Sequence, residues 1–181
     1  MRTLATSTLR RFRRDAGGGA AIEFGIAAIF LVLGALNAVD FGYYMYQRME
    51  VEYAAQVGAQ AAWKTCYDTS TMLPATQNCT GLNNAITAAI HATSLGTNLS
   101  LNSGYPTEGY YCANSSGALQ SVGSLASKPA NCSAAGNAAA SPGDYIQVAV
   151  SYPYGPLFPG VTVMSLWGIS SISMTSWMRL G

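Results

Sequence analysis

Few residues of this chain are equipped for chemistry. Its 181 residues include one histidine, His91, four cysteines and eight acidic side chains. The carboxylates outside the apolar N-terminal region are scattered, and no spacing suggests a glycosidase couple. Glu23 is the exception in kind. It lies four residues after Gly19, inside the run GAAIEFGIAAIFLVLGALNAV (19–39), which only Asn37 otherwise breaks. A charged group at the centre of a bilayer costs about 2.5 to 3.5 kcal/mol on insertion scales, less near the edge, and marks a functional position whose partner must be named. The cysteines, Cys66, Cys79, Cys112 and Cys132, offer either a metal site or disulfides. No C-x2-C pair occurs, so zinc is disfavoured and no metal is expected. Four cysteines allow three connectivities. Cys66–Cys79 and Cys112–Cys132 are preferred, because both join sequence neighbours and close short loops. No H-E-x-x-H, phosphate-binding glycine loop, G-x-S-x-G elbow or dinucleotide fingerprint is present, so neither a catalytic site nor a cofactor is expected.

The elements that carry these residues differ sharply along the chain. Half of the residues are hydrophobic and only 9% are charged, against about a quarter charged in an ordinary globular domain. The net charge of +1 conceals an asymmetry. Arg2, Arg10, Arg11, Arg13 and Arg14 crowd a basic leader, residues 1–18. Residues 19–40 then form a segment whose apolar part spans roughly 31 Å at helical rise, the thickness of a bilayer's hydrocarbon core. The arginine cluster on its N-terminal flank predicts an N-terminus in the cytoplasm and the remainder outside. Tyr43, Tyr44 and Tyr46 fall where rings favour headgroups. The leader RRFRR is a topogenic signal rather than a nucleic-acid contact, and no nucleic-acid partner is expected.

Taken together, the leader RRFRRDAGG, the junction GAAIEF and the apolar helix beyond it resemble type IV prepilins, and most nearly the TadE-like minor pilins or pseudopilins of the tight-adherence (Tad/Flp) pilus. VEYAAQVGAQAAW (51–63) and SPGDYIQVAVSYPY (141–154) extend the resemblance. It implies cleavage by a prepilin peptidase between Gly18 and Gly19, which makes Glu23 the fifth residue of the mature chain. It also implies that Glu23, with Phe24 beside it, sits where pilin helices pair. There the carboxylate meets the new N-terminal amine of a neighbouring subunit. The family often carries tyrosine after the glutamate; Phe24 departs from that and fits a minor subunit better than the major Flp pilin. The implied partners are the prepilin peptidase, other pilin or pseudopilin subunits, the Tad inner-membrane assembly platform and the lipid bilayer. The implied location is the bacterial inner membrane, single-pass, with a periplasmic C-terminal domain that can enter an extracellular pilus.

Past the membrane segment, residues 41–65 continue the helix without proline. Met45, Met49, Tyr53, Val57 and Ala61 recur every four residues as an apolar row, and Ala54, Ala55, Gly58, Ala59, Ala61 and Ala62 make a small-residue stripe suited to covering by a sheet. Residues 66–181 form a disulfide-stapled domain. In it TGLNNAITAAIHATSLG (80–96) predicts a short helix capped by Thr80, with Leu82, Ile86 and Ile90 on the apolar face and a stop at Gly96. Residues 92–143 predict loops and short strands. Alternation over Tyr145–Tyr152 predicts a strand, PYGPLFPG a loop, and VTVMSLWG with SSISMTSWMRL one or two further strands. The expected fold is α+β: a long N-terminal transmembrane helix continuing as a spine packed on a small antiparallel β-sheet domain, pilin-like. The expected function is assembly or priming of a Tad-type pilus, and hence surface attachment. A tip or surface binding module using Tyr105, Tyr110 and Tyr111 is the alternative, and a membrane-anchored periplasmic enzyme a remoter one.

Overall fold

A computed structural model describes residues 16–67 and 71–181. The basic leader's arginines therefore lie outside the described residues. Helix α1 runs Ala16–Thr65 without interruption. Two short helices follow, α2 (Ala75–Asn78) and α3 (Leu82–His91). Next come strands β1 (Ser100–Leu101), β2 (Thr107–Ala113), β3 (Leu119–Gly123) and β4 (Gly143–Pro153). A one-turn helix α4 (Val163–Leu166) and strand β5 (Ser171–Arg179) complete the chain. The protein is α+β, with a long apolar N-terminal helix and a small antiparallel sheet.

The chain divides into two units. One contains α1 up to Tyr43 together with Pro156–Gly168; the other contains Tyr44–Gly155 and Ile169–Gly181.

In the second unit β4 is the organising strand. Its Gly143–Gln147 half pairs with β2 and Val150–Ser151 with β1, while β5 pairs along the other edge from Tyr145 to Pro153. β3 extends the sheet from β2 through a register shift at Tyr110/Tyr111. Ile146, Val148 and Val150 are fully buried, as period-two alternation requires, and Ala149 is buried on the opposite face. Helix α3 presents Leu82, Ile86 and Ile90 to the same core. Against these lies the small-residue stripe of α1, with Val51, Ala54, Ala55, Ala59 and Ala62 all fully buried. Gly58 marks the closest approach: a methyl group there would stand 3.0 Å from the Ile90 Cγ2 and 3.3 Å from both the Ile86 Cγ2 and the Val148 Cγ1. A mid-helix glycine, which ordinarily costs about 0.5–1 kcal/mol relative to alanine, stands here where any larger side chain would press on Ile90, Ile86 and Val148. The structure joins Cys66 to Cys79 just past the end of α1, and Cys112 on β2 to Cys132. The second bridge forms its own small core with Ala135, Val122 and Ala140.

The small-residue stripe of α1 faces the core as expected, whereas Met45, Met49 and Tyr53 are exposed. Two local expectations are corrected, and the choice between one and two C-terminal strands falls to one. Thr80 does not cap α3; Gly81, in the left-handed region at φ 89°, precedes the first turn with no side-chain cap. Gly96 does not stop that helix, which ends at His91 and is followed by Thr93 donating its hydroxyl to the Ile90 carbonyl at 2.7 Å. VTVMSLWG holds no strand. The side chain of Asn37 takes the Val163 N–H, and the next turn closes on itself through Leu166 N–H to the Thr162 carbonyl.

Replacing Gly58 with valine drives two methyl groups into Ile86, Ile90 and Val148, so stability in a denaturant titration should fall by about 1–3 kcal/mol. An unchanged midpoint would mean that α1 and α3 are not in this contact.

Candidate assembly helix and its polar anchors

The candidate site is the surface of α1. From Gly18 to Val39 almost every side chain is exposed, including Ile22, Phe24, Ile26, Ile29, Phe30 and Leu31. Such an apolar helix surface has the length and composition to cross a membrane. Glu23 is exposed on this surface beside Phe24, and among the described residues nothing pairs with its carboxylate. Gly18 and Gly19 lie in the first turns of the helix, with Gly25 and Gly34 further along it, and no atom of the described chain approaches any of the four. Backbone at those glycines is therefore open to close approach by another helix.

The apolar surface ends at two polar residues that sequence reading treated only as its boundary. Asn37 and Asp40 are three apart, hence neighbours on one helix face. Asp40 is completely buried; its carboxylate accepts the Leu157 N–H at 2.8 Å and the Thr162 hydroxyl. Asn37 accepts the Val163 N–H at 2.8 Å through Oδ1 and donates from Nδ2 to the Leu33 carbonyl at 2.8 Å. These bonds tie Pro156–Gly168 to the helix. Thr162, itself fully buried, is the counterpart that makes a buried carboxylate tolerable. The available signal was the pairing of two polar positions on one face at the end of an apolar run. Their partners, more than a hundred residues away, left no local trace.

In the folded domain the titratable groups do structural work. The Glu108 carboxylate on β2 accepts the N–H groups of Ala75 and Thr76, each at 2.7 Å, and the Thr76 hydroxyl at 2.6 Å. It thus caps the first turn of α2, which carries Cys79 at its far end. Asp144 on β4 is buried opposite Tyr110 and lines a cavity of about 370 Å³ with Leu73, Pro74, Tyr110 and Lys128. Burial, followed by the charge of Glu108 and a hydrogen bond to it, pushes the Asp144 carboxyl up to about 7, although Lys128 opposes the shift. Asp144 is therefore held largely as the neutral acid at pH 6. His91 contacts the Leu99 carbonyl through Nε2 at 3.1 Å, a structural bond.

The tyrosines of the binding-module alternative are mostly packing. Tyr110 is buried with the Lys128 ammonium 5.4 Å from its ring centroid, and Tyr111 meets Trp177 and Tyr145 edge-on at 4.9 and 6.0 Å. Tyr105 is half-buried.

Comparison with known proteins bears on α1 alone. Residues 18–60 match the family of TadE-like proteins. Over those residues α1 is similar to TadE-like proteins. The match starts at Gly18, includes Glu23, Asn37 and Asp40, and stops just before the last turn of α1. No curated protein and no solved structure matches the chain. Among the described residues, α1 is the one helix long and apolar enough to cross a membrane.

Two variants test the anchors. Asp40→Ala leaves the Leu157 N–H without an acceptor and the Thr162 hydroxyl with only the Phe158 carbonyl at 3.5 Å; it should lower stability by about 1–3 kcal/mol and speed hydrogen exchange at Leu157. Exchange unchanged from wild type would show that the loop is held by something else. Asp144 binds a proton in the fold that the unfolded chain has already released above its ordinary value of 3.8. Its contribution is complete below that value and is lost as pH rises to about 7. The wild-type melting temperature should therefore decline between pH 5 and 8, and Asp144→Asn, which mimics the protonated acid, should flatten that decline. An equally steep profile in the variant contradicts the assignment.

Proposed function

We propose that this protein is a minor pilin or pseudopilin of the Tad/Flp type. A prepilin peptidase cuts it between Gly18 and Gly19, and α1 then packs with other subunits during assembly or priming of the pilus. The observation that carries this reading is the TadE-like match beginning at Gly18, over a helix whose apolar surface is exposed and interrupted by one carboxylate, Glu23.

The physical sequence is coherent. Cleavage removes the arginine-rich leader and leaves an α-ammonium on Gly19. In a low-dielectric setting an unpaired charge of either sign is costly. Pairing the ammonium of one subunit with Glu23 of the next offsets both costs and fixes the axial register of neighbouring helices. Phe24 flanks that contact, and Gly25, Ala28, Gly34 and Ala35 permit close backbone approach. Before assembly the subunit resides in the bacterial inner membrane, N-terminus cytoplasmic and folded domain periplasmic. From there it meets the Tad assembly platform and its fellow pilins, and its contribution to the cell is attachment.

In a strain that makes the pilus, Glu23→Ala should be cleaved as wild type yet reach sheared fibres at least about tenfold less, as loss of a charge-pair partner in low dielectric implies. Immunoblots of membrane and fibre fractions measure both. Incorporation at wild-type level would remove the pairing role.

A further inference from the structure

We propose that Pro156–Gly168 is a second membrane contact, an apolar loop lying in the lipid interface beside the point where α1 leaves the hydrocarbon. The inference rests on the membrane-spanning reading of α1 and adds to it. The loop is arranged inside out. Its polar Thr162 is fully buried against Asp40, whereas Leu157 is 47%, Val163 46%, Leu166 74% and Trp167 69% exposed. No Asp, Glu, Lys or Arg occurs anywhere from Tyr145 to Met178. A water-facing loop ordinarily shows the opposite arrangement.

Its height on the helix is fixed by the two anchors. Leu157 is held at Asp40 and Val163 at Asn37, so the segment runs toward the apolar part of α1 across three residues of the helix, roughly 4.5 Å. That reaches the boundary layer in which interfacial helices bury their apolar faces by about 5–10 Å. The backbone suits the same place, where lipid offers no hydrogen-bond partner. Pro156 and Pro159 carry no N–H, and the N–H groups of Gly160, Val161, Leu166, Trp167 and Gly168 all bond within the segment. Trp167 is the residue type that favours headgroup depth. Lipid is the occupant this geometry fits.

The test uses the full chain, reconstituted at less than one molecule per phosphatidylcholine vesicle, with Trp63→Phe and Trp177→Phe leaving Trp167 as the sole tryptophan. Vesicles made with 6,7-dibrominated phosphatidylcholine should quench its emission by roughly twofold or more, as expected at interfacial depth, and acrylamide should quench it weakly. Strong acrylamide quenching without bromolipid quenching overturns the proposal in favour of a water-exposed loop. Protection from both quenchers overturns it in favour of coverage by protein. Flotation of the same sample reports on α1 separately. Protein that floats but shows no bromolipid quenching defeats this inference alone, whereas protein that fails to float defeats the spanning reading and this inference with it. Should the double variant not fold, wild type and Trp167→Phe are compared instead. The bromolipid-quenched fraction should disappear in the variant, and its persistence overturns the proposal.

Discussion

One carboxylate sets the terms for the rest of the molecule. Glu23 sits in an otherwise uncharged helix surface that the chain itself leaves uncovered. A hydrophobic surface of this extent must be covered by lipid or by other helices, and in either surrounding the charge needs a counterion. On the proposed reading both needs are met from outside the subunit: the bilayer covers the helix before assembly, neighbouring helices cover it afterwards, and a Gly19 ammonium supplies the charge. The first part of α1 thus owes its stability to its surroundings, whereas its second part is stabilised by packing within the chain.

Polar groups mark where each environment ends. Asn37 and Asp40 stand at the end of the apolar run and draw Pro156–Gly168 onto the helix, with every acceptor oxygen of the pair occupied. Within the second unit small residues dominate α1, because Ile86, Ile90 and Val148 press against its backbone. Glu108 and Asp144 lie near each other on the neighbouring strands β2 and β4 and divide their roles: one accepts the N–H groups that open α2, the other is a buried acid favoured in its neutral form.

What the sequence made legible was whatever repeats locally. The apolar run and the absence of proline from Asp40 to Lys64 gave the extent of α1 to within a few residues. The spacing of Leu82, Ile86 and Ile90 gave the inner face of α3, and alternation gave β4 and β5. What it concealed depends on partners far along the chain. VTVMSLWG has the composition of a strand, but Asn37 and Asp40 bond its backbone and Thr162, and it closes into a single turn. The cap that Glu108 supplies to α2 crosses more than thirty residues and has no local signature.

The central claim is that Glu23 is tolerated because a new amino terminus is created four residues before it. The direct measurement is the intact mass and N-terminal sequence of the protein purified from cells that carry the pilus machinery. The account predicts a mature chain whose first residue is Gly19. A chain that begins at Met1, or at any residue other than Gly19, would contradict it.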